Sequence, residues 1–170
     1  AAEHVKVVLT GEGADEVFGG YTRYVNDGFI RRLQKLPRSL RALISKGVGH
    51  VPLGGARDDV QQAIEMAGLP EHLRFLRWVT AFTDAEKKEM LHPQYQRLFK
   101  QRAEELYGRL VEEYPVGSST DRIMFCELKS RLPECMLART DRMTMAVSLE
   151  ARTPFLDHRV VEWVAQIPAN

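Results

Sequence analysis

The chain has 170 residues with 24 basic and 23 acidic side chains, a formal net charge of +1, which suits one domain with its own core. This balanced charge, without a basic tract, argues against a nucleic-acid or membrane-surface partner. Cys126 and Cys135 lack a histidine at metal-ligand spacing, so we expect buried free thiols without zinc or disulfides. No apolar stretch indicates a membrane span and no signal-peptide core indicates export, so we expect a cytoplasmic protein.

A strand and a glycine-rich turn open the chain. Residues 5–9, V-K-V-V-L, predict a short buried β-strand, and residues 10–21, T-G-E-G-A-D-E-V-F-G-G-Y, predict a turn that becomes helical from Ala14. Open α/β sheets bind ligands, phosphates included, at such strand ends. Glu12 and Asp15 would repel a phosphate unless a cation lay between them. Magnesium with a nucleotide meets this requirement, because Mg²⁺ bridges carboxylates to phosphates.

The same turn also has a purely structural interpretation. Gly11 and Gly13 would supply backbone conformations with positive φ, and Asp15 would cap the following helix. The spacing alone leaves both interpretations open.

Helices are predicted for most of the remaining chain. The first helix is expected to bend at Gly19-Gly20 before residues 21–25. The other predicted helical spans are 29–36, 39–45, 58–66, 71–82, 84–91, 93–113, 121–132 and 158–167, with loops at 47–55 and 114–119. Asp84 is expected to cap its helix without a capping box, because Lys87 stands at the third following position. One strand cannot form a sheet, so we expect its partners outside this chain or in a second copy, which would make a homodimer.

A second polar segment lies near the end of the chain. Its charged candidates for a second-shell network or a substrate cleft are Arg139, Asp141, Glu150 and Arg152. If the run is helical as far as Glu150, charges on its apolar side need buried ionic partners, and the alternative is direct contact with substrate. Pro154 favours extended geometry just before it, and Asp157 suits the N-cap of the last helix.

The two segments resemble the synthetase domain of glutamine-hydrolysing asparagine synthetases. Residues 10–21 match S-G-E-G-[SA]-D-E-x-F-G-G-Y, with Thr10 in place of the more common serine. Residues 139–157 match R-x-D-x-x-[ST]-M-A-x-S-x-E-x-R-x-P-F-L-D. Two long motifs in the family's order argue strongly against chance agreement. The close match covers residues 5–25 and 120–168.

The resemblance implies that residues 1–170 are the C-terminal portion of an adenine nucleotide α-hydrolase-like (HUP-type) α/β domain, predominantly α with one short strand. It implies an ATP-dependent ligase, with Mg²⁺, that converts aspartate to asparagine through β-aspartyl-AMP, using ammonia from a glutaminase domain. By the same resemblance, Thr10, Gly11, Glu12 and Gly13 border the nucleotide and acyl-adenylate, and Asp15 binds magnesium. Glu12 would hold the ammonia or, as the weaker alternative, accept its proton.

Other features suggest that the chain is a piece of that enzyme. The family's pyrophosphate loop, S-G-G-x-D-S, does not occur, and Ala1 stands where a glutaminase domain would begin with cysteine. We therefore expect a truncated, inactive fragment that lacks the glutaminase domain and the N-terminal half of the synthetase domain. The alternatives are a related adenylating enzyme of the β-lactam synthetase or lasso-peptide cyclase type, and a non-catalytic helical interaction module. Glu12 argues against a β-lactam synthetase, which carries tyrosine there.

Overall fold

The computed structural model describes residues 1–48, 56–96 and 102–168. The chain forms two compact units. One unit comprises Ala1–Tyr24 and Glu113–Asn170, and the other comprises Val25–Glu112. The described residues are mainly helical, which confirms the predicted predominance of helix. None of the described helices combines the length and the apolar composition needed to cross a bilayer.

Eleven α-helices lie within the described residues. In order they are α1 Ala14–Phe18, α2 Thr22–Gln34, α3 Arg38–Val48, α4 Ala56–Met66, α5 Glu71–Val79, α6 Asp84–Met90, α7 Pro93–Gln96, α8 Ala103–Glu113, α9 Ser119–Lys129, α10 Ala138–Met145 and α11 His158–Val164. A π-helix, Leu132–Leu137, separates α9 from α10, and a 3₁₀ turn, Pro154–Leu156, precedes α11.

Two short parallel strands form the sheet seen among the described residues. β1, Val7–Leu9, pairs with β2, Glu150–Arg152, in a register that places Leu9 opposite Arg152. The expectation of a single strand with all its partners outside the chain is therefore wrong. The pairing is possible because α10 ends at Met145 and Ser148 adopts a left-handed conformation (φ 56°), so the chain is extended again by Glu150.

Burial of the first strand differs from the prediction. Val7 and Leu9 are exposed, Leu9 by 72%, because a two-stranded sheet leaves much of β1 uncovered among the described residues. Parallel pairing nevertheless has a useful consequence for the site. The carboxyl ends of β1 and β2 lie at the same edge, so the segments that follow the two strands are brought together.

The first unit has its core between α1, α9 and the 3₁₀ turn. Val17 and Ile123 are buried, and the rings of Phe18 and Phe155 meet edge to face with centroids 6.0 Å apart. Cys126 is buried in this unit, as predicted, whereas Cys135 is exposed, so the prediction of two buried thiols is wrong for the second one. Cys135 lies in the π-helix that ends this stretch of core.

The second unit has a separate core. Ile30, Met66 and Ala67 form its buried cluster, and Leu33, Ala63 and Trp78 pack against that cluster. Asp27 and Arg74 form a buried ion pair, with Arg74 Nε donating to Asp27 Oδ1 at 2.6 Å. Because a buried charge needs a partner, we interpret this ion pair as part of the core packing and not as a functional site.

The helix caps show one clear difference from the sequence prediction. The N-cap of α6 is Thr83 rather than Asp84, and Thr83 forms a capping box with Glu86. The prediction failed because the cap was placed one residue late, which put Lys87 instead of Glu86 at the third position. Asp157 is the N-cap of α11, as predicted, and accepts from the backbone N–H of Arg159 at 2.9 Å.

Several helix boundaries also differ. α2 joins the predicted helical residues 21–25 and 29–36 into one helix, Thr22–Gln34, and α3 includes positions predicted as loop, Gly47 and Val48. The rest of the predicted loop, residues 49–55, lies outside the described residues. The predicted helix 93–113 corresponds to α7 and α8, and residues 97–101 between them also lie outside the described part. α9 begins at Ser119 and ends at Lys129, where 121–132 was predicted.

Candidate functional site

The turn between β1 and α1 is held by backbone contacts. Thr10 N donates to the carbonyl of Arg152 at 2.9 Å, which continues the strand pairing into the turn. Gly13 occupies the N-cap of α1 with φ 87°, as predicted for a glycine with positive φ. Gly11 does not have positive φ, and Asp15 lies in the first turn of α1 rather than at its cap, so these two details of the structural interpretation are wrong.

Gly13 is also where the two sequence segments approach each other closely. A Cβ atom at this position would lie 2.3 Å from Cδ2 of Leu156, in the 3₁₀ turn that follows β2. Such a distance is far below van der Waals contact, so only glycine fits between the turn and Leu156. Glycine is required here both for the backbone conformation and for the close packing.

Glu12 makes the contact that joins the first segment to α10. Its side chain is half-buried, and its Oε1 accepts a hydrogen bond from Thr140 Oγ1 at 3.0 Å. The structure therefore brings Glu12 to the second segment, as the prediction of a shared site requires. Thr140 was not among the predicted residues. The motif gave no signal for it, because it stands at a variable position between Arg139 and Asp141.

Thr10 and Asp15 lie on either side of Glu12 in different environments. The Thr10 hydroxyl oxygen is buried and has no hydrogen-bond partner among the described residues, which makes it a place where a ligand atom would be stabilised. Asp15 is exposed, and a Cβ on Gly20 would lie 2.2 Å from its Oδ1, so a side chain at position 20 would displace the carboxylate from this position.

Asp15 could give a divalent cation one carboxylate ligand, but the turn does not provide a complete set of protein ligands. Among the residues that the structure describes, no cluster of three or more histidine, cysteine or acidic side chains could hold a metal. Magnesium bound with a nucleotide needs only one or two protein carboxylates, because phosphate oxygens and water complete its six ligands. Asp15, exposed at the start of α1, fits that smaller requirement.

The charged residues of the second segment do not form the predicted buried ion pairs. Arg139 and Asp141 are exposed on α10, and Glu150 and Arg152 pair at 2.7 Å on β2 with both side chains more than half exposed. The prediction of burial is wrong because α10 ends before Glu150, which lies in a strand instead. The hydrogen bond that Arg152 donates to the Glu150 carboxylate raises the pKa of Arg152, and an exposed pair of this kind adds little stability.

A buried carboxylate lies directly behind the turn. Glu16 is fully buried on α1, and its Oε1 accepts from the Tyr21 hydroxyl at 2.7 Å, while its Oε2 has no hydrogen-bond partner among the described residues. Burial is the largest cause that raises the pKa of Tyr21, and the hydrogen bond to Glu16 is the next. The phenol therefore stays neutral and donates its hydrogen to Glu16. The pair holds the end of α1 to the residues that start α2.

A second buried carboxylate extends this network to α9. Glu127 accepts from Arg23 Nε at 2.6 Å and from the Tyr24 hydroxyl at 2.9 Å, and Arg131 lies 4.0 Å away. Arg23 also stacks over the Tyr21 ring, with 3.6 Å between the guanidinium carbon and the ring centroid. Burial and the nearby Glu127 charge raise the pKa of Tyr24. The sequence does not indicate this network, because its members are separated by about a hundred residues.

The comparisons with known proteins agree with the two motifs. The family model described as asparagine synthase matches residues 1–170. Asparagine synthetase 1 (glutamine-hydrolysing) of Bacillus subtilis is 29% identical over 99% of this chain and 26% of its own length. A Mycobacterium bovis protein, named as a candidate glutamine-hydrolysing asparagine synthetase, is 33% identical over 100% of this chain and 25% of its own length.

More distant relatives carry other names. A Gibberella zeae protein named an amidase is 26% identical over 99% of this chain and 26% of its own length. The chain thus spans about a quarter of the length of the curated relatives it matches. No solved structure matches it. With a family model that covers every residue and the two motifs joined through Glu12 and Gly13, the chain belongs to the asparagine synthase family.

Proposed function

We propose that the chain is part of an ATP-dependent amide-forming ligase that converts aspartate to asparagine through β-aspartyl-AMP. The observation that carries this proposal is the contact between Glu12 and Thr140, which joins the two family motifs at one site. We further propose that the domain is of the adenine nucleotide α-hydrolase-like type. The N-terminal half of the synthetase domain would then supply the pyrophosphate loop, and a glutaminase domain would supply ammonia.

The first step of this chemistry is adenylation of the carboxylate. An oxygen of the aspartate side chain attacks the α-phosphorus of ATP, and the bond to pyrophosphate breaks. Gly11 is exposed, and a Cβ there would meet nothing within 4 Å, so its backbone is accessible to a nucleotide. Asp15 would hold Mg²⁺, which when bound offsets the negative charge of pyrophosphate.

The second step transfers nitrogen. Ammonia forms a bond to the acyl carbon, the bond between that carbon and the AMP oxygen breaks, and a proton leaves the nitrogen. The Glu12 carboxylate would bind the nitrogen or take this proton. Because the S-G-G-x-D-S loop does not occur in the 170 residues, we propose that they do not catalyse the reaction alone.

Replacement of Glu12 tests the proposal in the natural full-length protein. Glu12→Gln keeps the shape of the side chain but removes its charge, so we expect amide formation to fall by about 10²- to 10⁴-fold, the usual contribution of a proton-transferring group. Asparagine and AMP are measured with ATP, aspartate and an ammonium salt. Glu3→Gln, on the exposed N-terminal segment, is the matched control and should retain full activity. Unchanged turnover by Glu12→Gln in a folded protein would favour a non-catalytic helical module.

A second candidate is the same chemistry with a different carboxylate acceptor. The observation behind it is that the Gibberella zeae relative, although similar over 99% of this chain, is named an amidase and not an asparagine synthetase. Pyrophosphate release, measured against a panel of carboxylic acids with aspartate among them, separates the two candidates. Release with aspartate supports the asparagine synthetase proposal, and release only with another acid supports the alternative.

The cytoplasm is the proposed location. Two cysteines in 170 residues do not make the disulfide-dense pattern of small secreted domains, which fits a reducing compartment.

A further inference from the structure

Thr140 is the residue of α10 that contacts the loop after β1. Its Oγ1 lies 3.0 Å from Oε1 of Glu12, and both side chains are half-buried. Arg139 and Asp141, its two charged neighbours in the motif, are exposed. The uncharged residue between them is therefore the one that reaches the site.

The Thr140 hydroxyl does not follow the usual pattern of a threonine inside a helix. Such a hydroxyl commonly donates to the carbonyl three or four residues earlier. Thr144, one turn further along the same helix, does so by donating to the Thr140 carbonyl at 3.0 Å. A threonine hydroxyl has a single donor, and Thr140 directs it to Glu12. The difference within one helix indicates that Glu12 determines the orientation of this hydroxyl.

This hydrogen bond constrains the carboxylate that it reaches. A hydrogen bond to a charged acceptor is stronger than one between neutral groups. It engages Oε1 of Glu12, so it fixes the rotation of the carboxylate and leaves Oε2 outside this contact. A group that receives a small nucleophile acts well only when it is held in one geometry.

We propose that Thr140 is a positioning residue for the amide-forming step, holding Glu12 so that its Oε2 receives the nitrogen nucleophile. This inference rests on the proposed function. Thr140 exchanges no proton in the step: the nitrogen–carbon bond forms, the acyl–AMP bond breaks, and the proton from nitrogen goes to Glu12 or to water. Adenylation, which comes earlier, does not depend on Glu12 being held in this way.

The test separates the two half-reactions in the natural full-length protein. Adenylation is followed as carboxylate-dependent exchange of pyrophosphate into ATP, and amide formation is followed with ammonium chloride as nitrogen donor. We expect Thr140→Val to lower kcat for amide formation by about 10- to 100-fold, the effect of losing a hydrogen bond to a charged group, and to change adenylation by less than about 3-fold. Thr140→Ser, which restores the hydroxyl, should recover amide formation to within about 3-fold of wild type.

Thr144→Val is the matched control, because it removes a hydroxyl from the same helix that does not reach Glu12. It should leave both half-reactions near wild type. Equal losses in Thr140→Val and Thr144→Val would show a disturbed helix and overturn the proposal. Unchanged amide formation in Thr140→Val, or equal loss of both half-reactions, would also overturn it.

Hydrogen exchange provides a readout that needs no activity. Thr140→Val should speed exchange of the backbone amides of Ala14 and Val17, which donate to the carbonyls of Gly11 and Gly13, and Thr140→Ser should not, because the hydroxyl ties this loop to α10. If the wild-type protein forms neither adenylate nor amide with any carboxylate, the proposed function fails. The exchange experiment still decides the contact in that case, since unchanged exchange in Thr140→Val would overturn the positioning role.

Discussion

Position 13 requires glycine for two reasons, its backbone conformation and its close packing against Leu156. Its φ of 87° is unfavourable for residues with a Cβ, and the added Cβ would lie 2.3 Å from Leu156. Glu12, one residue earlier, depends on this turn for its direction toward Thr140. The geometry of the carboxylate proposed to receive the nitrogen nucleophile is therefore set by a glycine and a leucine that take no part in the chemistry.

Gly13→Ala should destabilise the protein substantially. Backbone strain and overpacking against Leu156 together predict a loss of about 2–4 kcal/mol in the free energy of unfolding, measured by urea denaturation. Gly11→Ala is the matched control, because its Cβ would meet nothing within 4 Å and its φ is not positive; it should cost less than about 1 kcal/mol. Equal effects of the two substitutions would contradict the close packing seen at Gly13.

At the scale of elements, the exposed cap of α6 predicts a dependence on pH. The hydrogen bonds from the side chain and backbone N–H of Thr83 lower the pKa of Glu86. A lowered carboxyl pKa stabilises the folded state above the pKa of the unfolded chain, and this stabilisation is lost as the pH falls through the folded pKa. Thr83→Ala should therefore raise the pKa of Glu86 toward its ordinary value.

The measurement is an NMR titration of the Glu86 side-chain carboxyl carbon. Thr83→Ser keeps the hydroxyl, so Glu86 should titrate in that variant as it does in the wild-type protein. A midpoint that does not move in Thr83→Ala would contradict the capping box.

The sequence predicted elements well where a local pattern specifies them. The helical spacing of apolar residues indicated most helices, and Asp157 was recognised as a cap from its position before the last helix. β2 was missed because Glu150–Arg152 has two charges in three residues and none of the usual strand composition. The π-helix Leu132–Leu137 was missed because π-helices are rare and their wider turn does not follow the 3.6-residue spacing that identifies an α-helix in a sequence.

At the scale of the whole molecule, long-range contacts were largely beyond prediction. The two motifs predicted that residues near 12 and 140 share a site, and the Glu12–Thr140 contact agrees. Nothing local indicated that Glu127 would accept from Arg23 and Tyr24, or that Asp27 would pair with Arg74. Single charged residues look alike in a sequence whether they are solvated or buried, so such partners follow only from the fold.

The central claim is that the site adenylates a carboxylate before nitrogen attacks it. The most direct measurement follows aspartate labelled with ¹⁸O in its side-chain carboxylate through the reaction of the natural full-length protein with ATP and an ammonium salt. Adenylation predicts that one labelled oxygen appears in AMP, because the acyl–oxygen bond breaks when nitrogen attacks. Label in inorganic phosphate, or unlabelled AMP formed together with asparagine, would contradict the proposed mechanism.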